Sequence, residues 1–196
     1  EVRTRPPYPA QQGLFNRPTV VNNVETLACV PWVVKNGGAA FVKLGTEKSN
    51  GTKLVSLDSG FNRPGLYEVE CGTPLGKVID ELGQGFSRPT KALHIGGPLG
   101  GIVPLSKINE LGIDFESFQR NGFLLGHASV LSIPQDFPMA LYLEHLFEFT
   151  AMESCGKCFP CRIGSTRGKE MIQASRLQGK KMDRALFNDL LETMEI

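Results

Sequence analysis

Three thiols define the chemistry open to this chain. Cys155, Cys158 and Cys161 stand at two consecutive Cys-x-x-Cys spacings within Glu153-Ser-Cys-Gly-Lys-Cys-Phe-Pro-Cys-Arg162. Thiolates spaced this way can reach different corners of one iron–sulfide cubane, and Fe–S clusters take their ligands from such runs. Gly156 permits the backbone turn that aims them. The alternatives fit less well. A structural zinc site usually draws on two ligand pairs separated by a longer span. A disulfide leaves one of three thiols over. A radical-SAM cluster wants three residues between its first two cysteines, and here there are two. The run is also incomplete. A ferredoxin-type motif continues with cysteine at position 165, which is Ser165, and no cysteine follows Cys161. The fourth ligand is then a non-cysteine group, or Cys29 or Cys71 folded back, or a residue the chain does not reach.

Composition bounds the rest. The chain has 196 residues with 41% hydrophobic content, enough for one ordinary domain or two small ones with a real core. A net charge of +1 gives no electrostatic case for nucleic acid or an acidic membrane surface. No apolar run approaches a membrane span, and the charged, Pro-rich start does not read as a signal peptide. Three of the five cysteines share one run. This is no secreted disulfide framework, so the expected compartment is reducing, the cytoplasm or its equivalent.

The elements that must hold the thiols follow from pattern. Residues 1–18 read as an extended lead, because Arg5-Pro-Pro-Tyr-Pro9 and Arg17-Pro18 disfavour helix. Thr19–Val21 is a short strand candidate. Asn22 with Glu25 three positions on suggests a capping box for a helix over 23–35. Val24, Leu27, Ala28, Pro31 and Val34 share one of its faces, Pro31 should kink or interrupt it, and Asn36-Gly37-Gly38 should end it. A capped helix start beside two asparagine amides is a candidate seat for a phosphate or polar ligand. Strands are expected at 53–57, 66–70, 92–95 and 130–133. Between them Thr73 should cap a helix with Pro74 at its first position, its stripe Leu75, Val78, Ile79 and Leu82. Gly96–Gly101 lacks the order of a phosphate-binding loop and reads as a sharp turn. Asp136 should cap a helix running to about Met152. Two more helices, near 162–177 and 184–194 with Asp183 as cap, complete a bundle with the cysteines in its first joint. His94, His127 and His145 have no second ligand at metal spacing and read as structural. The expected class is α+β: a β-grasp domain over 51–134, preceded by the end of an α/β domain over 1–50 and followed by a helical iron–sulfur domain over 135–196.

Together these segments resemble the C-terminal part of the NADH-binding flavoprotein subunit family. Its members include the F subunit of bacterial NADH–quinone oxidoreductase, the diaphorase subunits of NAD-reducing hydrogenases and the beta subunit of NAD-dependent formate dehydrogenases. Pro18-Thr-Val-Val-Asn-Asn-Val-Glu-Thr-Leu-Ala28 is similar to the end of the family's FMN-binding domain. Residues 52–134 are similar to its β-grasp domain of the soluble-ligand-binding type, and Glu153–Arg162 is similar to its cluster run. Ile163-Gly-Ser-Thr-Arg-Gly168 leans towards the formate dehydrogenase branch. The resemblance implies that NADH reduces FMN, which passes single electrons to a [4Fe–4S] cluster. It implies that Asn22, Asn23 and Thr26 help hold FMN, and that Cys155, Cys158 and Cys161 are cluster ligands. Lys157, Arg162 and Arg167, close to the thiolates in sequence, would offset cluster charge or else stand as solvated surface cations. The family's fourth cysteine would fall just past Ile196, and its Gly-rich NADH loop before Glu1, so the chain is expected to be a fragment. Expected partners are a thioredoxin-like 2Fe–2S subunit and an Fe–S or catalytic subunit of a cytoplasmic complex, with no direct membrane insertion. The alternative is a non-catalytic β-grasp module that binds a ligand or partner and carries a structural Fe–S or zinc site.

Overall fold

Alternating buried and exposed residues build one five-stranded sheet. In the computed structural model, which describes residues 2–195, the strands are β1 (Thr52–Leu57), β2 (Gly65–Glu70), β3 (Thr90–Ile95), β4 (Gly101–Pro104) and β5 (Ser129–Pro134). Their order is β2-β1-β5-β3-β4. β1 pairs antiparallel with β2 and parallel with β5, while β3 pairs antiparallel with both β4 and β5. β1 places Lys53, Val55 and Leu57 on its buried face, and β3 is buried along almost its whole length, as a central strand should be.

The helices, in chain order, are α1 (Val24–Asn36), α2 (Gly38–Phe41), α3 (Leu75–Lys77), α4 (Phe115–Arg120), α5 (Met139–Glu153), α6 (Phe159–Gln178) and α7 (Arg184–Met194). α3 continues into a π-type turn over Val78–Leu82, where Gly83 N–H donates to Val78 O at 2.9 Å. The predicted stripe behaves as expected: Leu75, Val78 and Ile79 are buried in one cluster with Val55, Leu93, Ile95 and Phe118, and Leu82 packs against it. A short 3-10 segment (Leu105–Glu110) and α4, capped by Asp114 Oδ1 accepting from Ser117 N–H at 2.6 Å, add Ile108 and Phe118 to that core.

Two compact units divide the chain: Pro9–Gln135, and Glu1–Tyr8 with Asp136–Ile196. Every buried apolar residue of the described chain lies within 55–133 except Ile172. In the helical unit, α5 and α6 are pinned by Lys169 Nζ to Glu148 Oε1 (2.6 Å) and by Arg176 Nε to Glu144 Oε2 (2.8 Å). Phe147 of α5 lies 5.8 Å from Phe187 of α7, centroid to centroid.

Several expectations are corrected. Thr19–Val21 forms no strand: Val20 and Val21 are exposed, and Thr19 N–H donates to Pro9 O at 2.8 Å in a local turn instead of joining a sheet. The cap of α1 is Asn23, not Asn22; its Oδ1 accepts from Glu25 N–H (2.8 Å) and Thr26 N–H (3.4 Å). α1 also runs through Pro31 without a break, because a proline removes one helical donor and the turns on either side keep theirs. It turns the Glu25, Cys29 and Val33 line inward, while Val24, Leu27 and Val34 remain exposed. Thr73 does not cap α3; its hydroxyl donates back to Glu70 O at 2.7 Å, and Pro74 precedes the first turn. Nor does Asp136 cap α5, which starts at Met139 behind Pro138 without a side-chain cap. α6 begins at Phe159, three residues before the expected start. Gly96–Gly101, by contrast, is the sharp turn expected, joining β3 to β4 so tightly that a Cβ at Gly100 would lie 1.9 Å from Ile95 O.

Candidate metal centre

The cysteine run occupies the bend between α5 and α6. α5 ends at Glu153, and Ser154 N–H still donates to Thr150 O at 3.0 Å. Gly156 then takes φ +77°, a value only glycine adopts freely, and its N–H donates to Ser154 Oγ at 3.2 Å. Cys158 is the residue before α6, and Cys161 lies inside the helix's first turn rather than in the joint. Cys155 and Cys158 are exposed, and Cys161 is half-buried. The bend closes on itself: Ser154 Oγ lies 3.4 Å from Cys161 Sγ, and Arg162 Nη1 donates to Gly156 O at 2.7 Å.

The local electrostatics suit an anionic group. α6 has no side-chain cap, so the partial positive charge of its first amides is not satisfied by the protein's own side chains. Ser165, where a ferredoxin run would place its fourth cysteine, is fully buried and donates to Cys161 O at 2.7 Å. It serves the helix backbone and is turned away from ligation. Among the described residues no three His, Cys, Asp or Glu side chains converge as they would around one metal ion. A cubane asks for something else, one thiolate at each of several iron corners, so its ligands need not converge on a single ion.

The cations divide unequally. Arg162 belongs to the bend through Gly156 O. Arg167 pairs with Glu170 one turn along α6, and Lys157 is exposed. Sequence reasoning missed Arg3. Its backbone N–H donates to Cys155 O at 2.9 Å and its guanidinium to Met152 O at 2.9 Å, a contact across 149 residues that no local pattern announces. Buried Glu144 was also missed: Arg176 and Gln173 donate to it and hold its carboxyl below the usual carboxylate range.

The second candidate site lies in the other unit. Asn23 and Thr26 border an open cleft of about 950 Å³ with Cys29, Val33, Lys53 and His127. Asn22 is exposed at the helix entrance. Asn23 spends its Oδ1 on the cap, which leaves its Nδ2 hydrogens for a ligand. Cys71 is buried beside the same cleft, and burial pushes its thiol pKa up. Cys29 and Cys71 thus belong to the Pro9–Gln135 unit, and Cys155, Cys158 and Cys161 to the helical one. His94, predicted to be structural, is buried in β3 at 2% exposure, and burial lowers its pKa. Among the described residues no helix is long and apolar enough to cross a membrane.

Comparison with known proteins gives this geometry a family context. Residues 142–196 match the NADH-ubiquinone oxidoreductase-F iron-sulfur binding region, a segment that contains all three cysteines. The F 2 subunit of the NADH-quinone oxidoreductase of Rhizobium meliloti is 42% identical over 164 residues, covering 83% of this chain and 39% of the relative. The NADP-reducing hydrogenase subunit HndC of Solidesulfovibrio fructosivorans is 38% identical over 195 residues, covering 98% of this chain and 39% of the relative. The NAD-reducing hydrogenase HoxS subunit alpha of Cupriavidus necator is 35% identical over 92% of this chain and 29% of its own length. The crystal structure of NAD+-reducing [NiFe]-hydrogenase in the air-oxidised state matches 99% of this chain and 33% of its own with a TM-score of 0.81 at 33% identity. This chain therefore spans well under half the length of these relatives.

Proposed function

We propose, from the premise that the chain is a homologue of NADH–quinone oxidoreductase F subunits and of the diaphorase subunits of NAD-reducing hydrogenases, that it is the cluster-bearing part of an NADH:acceptor oxidoreductase subunit. In the whole protein, electrons would pass between NAD(H), FMN and a [4Fe–4S] cluster within a larger redox complex. The observation that carries this reading is the bend at Cys155, Cys158 and Cys161, which leads into an uncapped helix start inside the matched iron–sulfur region. When bound, FMN and the cluster supply the conversion of a two-electron donor into single electrons.

The protein's part is to bind, space and charge-balance. Cys155, Cys158 and Cys161 act as ligands, Gly156 sets their spacing, and the first amides of α6 with Arg162 offset negative charge. Asn22, Asn23 and Thr26 form one edge of an FMN seat at the start of α1. We assign residues 1–50 to the end of the flavin domain, 51–134 to a β-grasp domain of the soluble-ligand-binding type and 135–196 to the helical iron–sulfur domain. The mixed sheet order β2-β1-β5-β3-β4 over the Leu75–Leu82 helix supports the β-grasp assignment. The partners would be a thioredoxin-like 2Fe–2S subunit and an Fe–S or catalytic subunit, on the cytoplasmic side where the complex is membrane-bound. The Ile163–Gly168 sequence supports a formate-oxidising partner as one form of that assembly.

The test is anaerobic loading with iron and sulfide, read by iron analysis and by electron paramagnetic resonance of the reduced protein. The expected result is a low-temperature iron–sulfur signal that each of C155S, C158S and C161S removes or converts to a cluster with fewer irons. Zinc bound in preference to iron, or iron content unchanged in all three variants, would refute the assignment. The full-length subunit should also reduce an artificial acceptor with NADH; an FMN-free, inactive full-length protein would favour the non-catalytic module.

A further inference from the structure

We propose that Arg3 is a positioning residue for the cysteine bend: residues 2–4 form a strap that caps the end of α5 and holds Cys155 in place. The strap stands on geometry alone; its effect on a cluster rests on the cluster reading above.

The last carbonyls of a helix lack partners within it, and they carry partial negative charge. Helices usually meet this with a basic side chain in the last turn or a glycine just beyond it. α5 has neither: its last turn contains no basic residue, and the residue that follows it is Ser154, with φ −54° and ψ 129°. Arg3 supplies the missing cation. Its guanidinium donates to Met152 O and its backbone N–H donates to Cys155 O, both at 2.9 Å. One residue therefore fixes carbonyls on both sides of Ser154, the residue whose hydroxyl meets Gly156 N–H and approaches Cys161 Sγ. From the other end, Arg162 holds Gly156 O. The carbonyls of Met152, Cys155 and Gly156 are thus all engaged by arginine donors. Carbonyl oxygens repel an anionic cluster, so drawing these three onto arginine donors reduces the negative potential around the thiolates.

Two consequences follow. Without the cluster, Arg3 should restrict opening of the bend. With it, the Arg3 cation should favour the more negative, reduced form of the cluster and so raise its reduction potential. A purely structural contact would produce the first effect and not the second.

The experiment compares R3A and R3K with R5A. Arg5 is a suitable control because it stacks on Tyr8, 4.3 Å from guanidinium carbon to ring centroid, and donates to the Tyr8 hydroxyl. In the unloaded 196-residue chain, amide exchange at Ser154 and Gly156 should accelerate about tenfold in R3A, the scale of losing one hydrogen bond from a charged donor, and change little in R5A. In protein carrying its cluster, chelator-driven iron release should be faster in R3A, and the midpoint potential should fall. All three variants keep the backbone donor; R3K also keeps the charge at position 3 and should restore most of the potential. Exchange at Ser154 and Gly156 unaltered in R3A would overturn the strap. Accelerated exchange with an unaltered potential would overturn the electrostatic role. Because the exchange arm needs no metal, a failure to form any cluster would count against the functional reading alone and leave the strap to be judged on exchange.

Discussion

Glu25 shows how one side chain can tie a helix start to a sheet. It stands in the first turn of α1, where a carboxylate is favoured by the helix dipole, two residues after the capping Asn23. Its Oε1 accepts from Leu54 N–H on β1 at 2.9 Å, and its Oε2 pairs with Lys53 Nζ. Burial pushes the Glu25 carboxyl up, but the Lys53 hydrogen bond, the Leu54 N–H and the Lys53 charge together hold it below the usual range. A carboxyl depressed in the folded state adds stability that is complete above its unfolded pKa, about 4.3, and fades as pH falls through the lower folded value. E25Q should therefore cost about 1–2 kcal/mol at pH 7, since it strands Lys53, whose side chain is only 11% exposed, and the deficit should shrink below about pH 4. Urea denaturation of both proteins at pH 7 and in mild acid checks this; a deficit that grows on acidification would be the wrong sign. Little of the pair was legible in the sequence. Glu25 could be read as a cap partner, but the partner that matters, Lys53, is 28 residues away.

The elements around the cysteines are packed through glycine. On α6, Gly168 is buried, and a Cβ there would lie 2.2 Å from a ring carbon of Phe147 on α5. Gly164, one turn earlier, faces Met194 of α7 in the same way, with 2.7 Å to its side chain. The two glycines let α5 and α7 approach the α6 backbone at a cost in helix propensity of up to about 1 kcal/mol each. G168A regains that propensity but must displace Phe147, and overpacking of this kind costs about 1–3 kcal/mol. We expect a net loss of about 1 kcal/mol in the helical unit, and less than additive damage when F147L is combined with it. Thermal unfolding of the two single variants and the double closes the cycle, and strict additivity would show that the two residues do not meet. At this scale the sequence was informative where pattern is local. The Leu75, Val78, Ile79 and Leu82 stripe, the Asp183 cap of α7, accepting from Leu186 N–H at 3.1 Å, and four of the five strands follow from periodicity and turn chemistry. β4 is only four residues long beside a glycine turn, and α4 is a six-residue helix; both are too short for periodicity to register. The apolar stripe on α1 misled because Val24, Leu27 and Val34 are spaced for a helix face that the sheet does not cover.

Across the whole molecule, apolar burial is unevenly shared. The Pro9–Gln135 unit holds every buried apolar residue of the described chain except Ile172, and its sheet and short helices close around Phe61, Leu75, Leu93, Ile113 and Phe118. The helical unit has three helices, but α7 buries no residue, and its contacts with α6 leave Leu186 57% exposed. Of its ion pairs, Lys169–Glu148 joins partly exposed groups and is worth roughly 0–1 kcal/mol, and Arg176–Glu144 holds the one buried carboxylate among the described residues of the unit. A unit this small with so little core needs a further tie, and ligation by Cys155, Cys158 and Cys161 would provide it, because metal-binding free energy is in part folding free energy. The two units should then respond differently to loss of iron. Chelation of the loaded protein should accelerate amide exchange throughout α5, α6 and α7 and leave β1, β3 and β5 unchanged, with protection recovered on reloading under anaerobic conditions. Mass-spectrometric exchange resolved by peptide reads both units in one sample. Equal protection of α6 before and after iron removal would mean that Phe147, Phe187 and the two ion pairs hold the bundle by themselves, and that the cysteine bend is a passenger on a fold already stable without it.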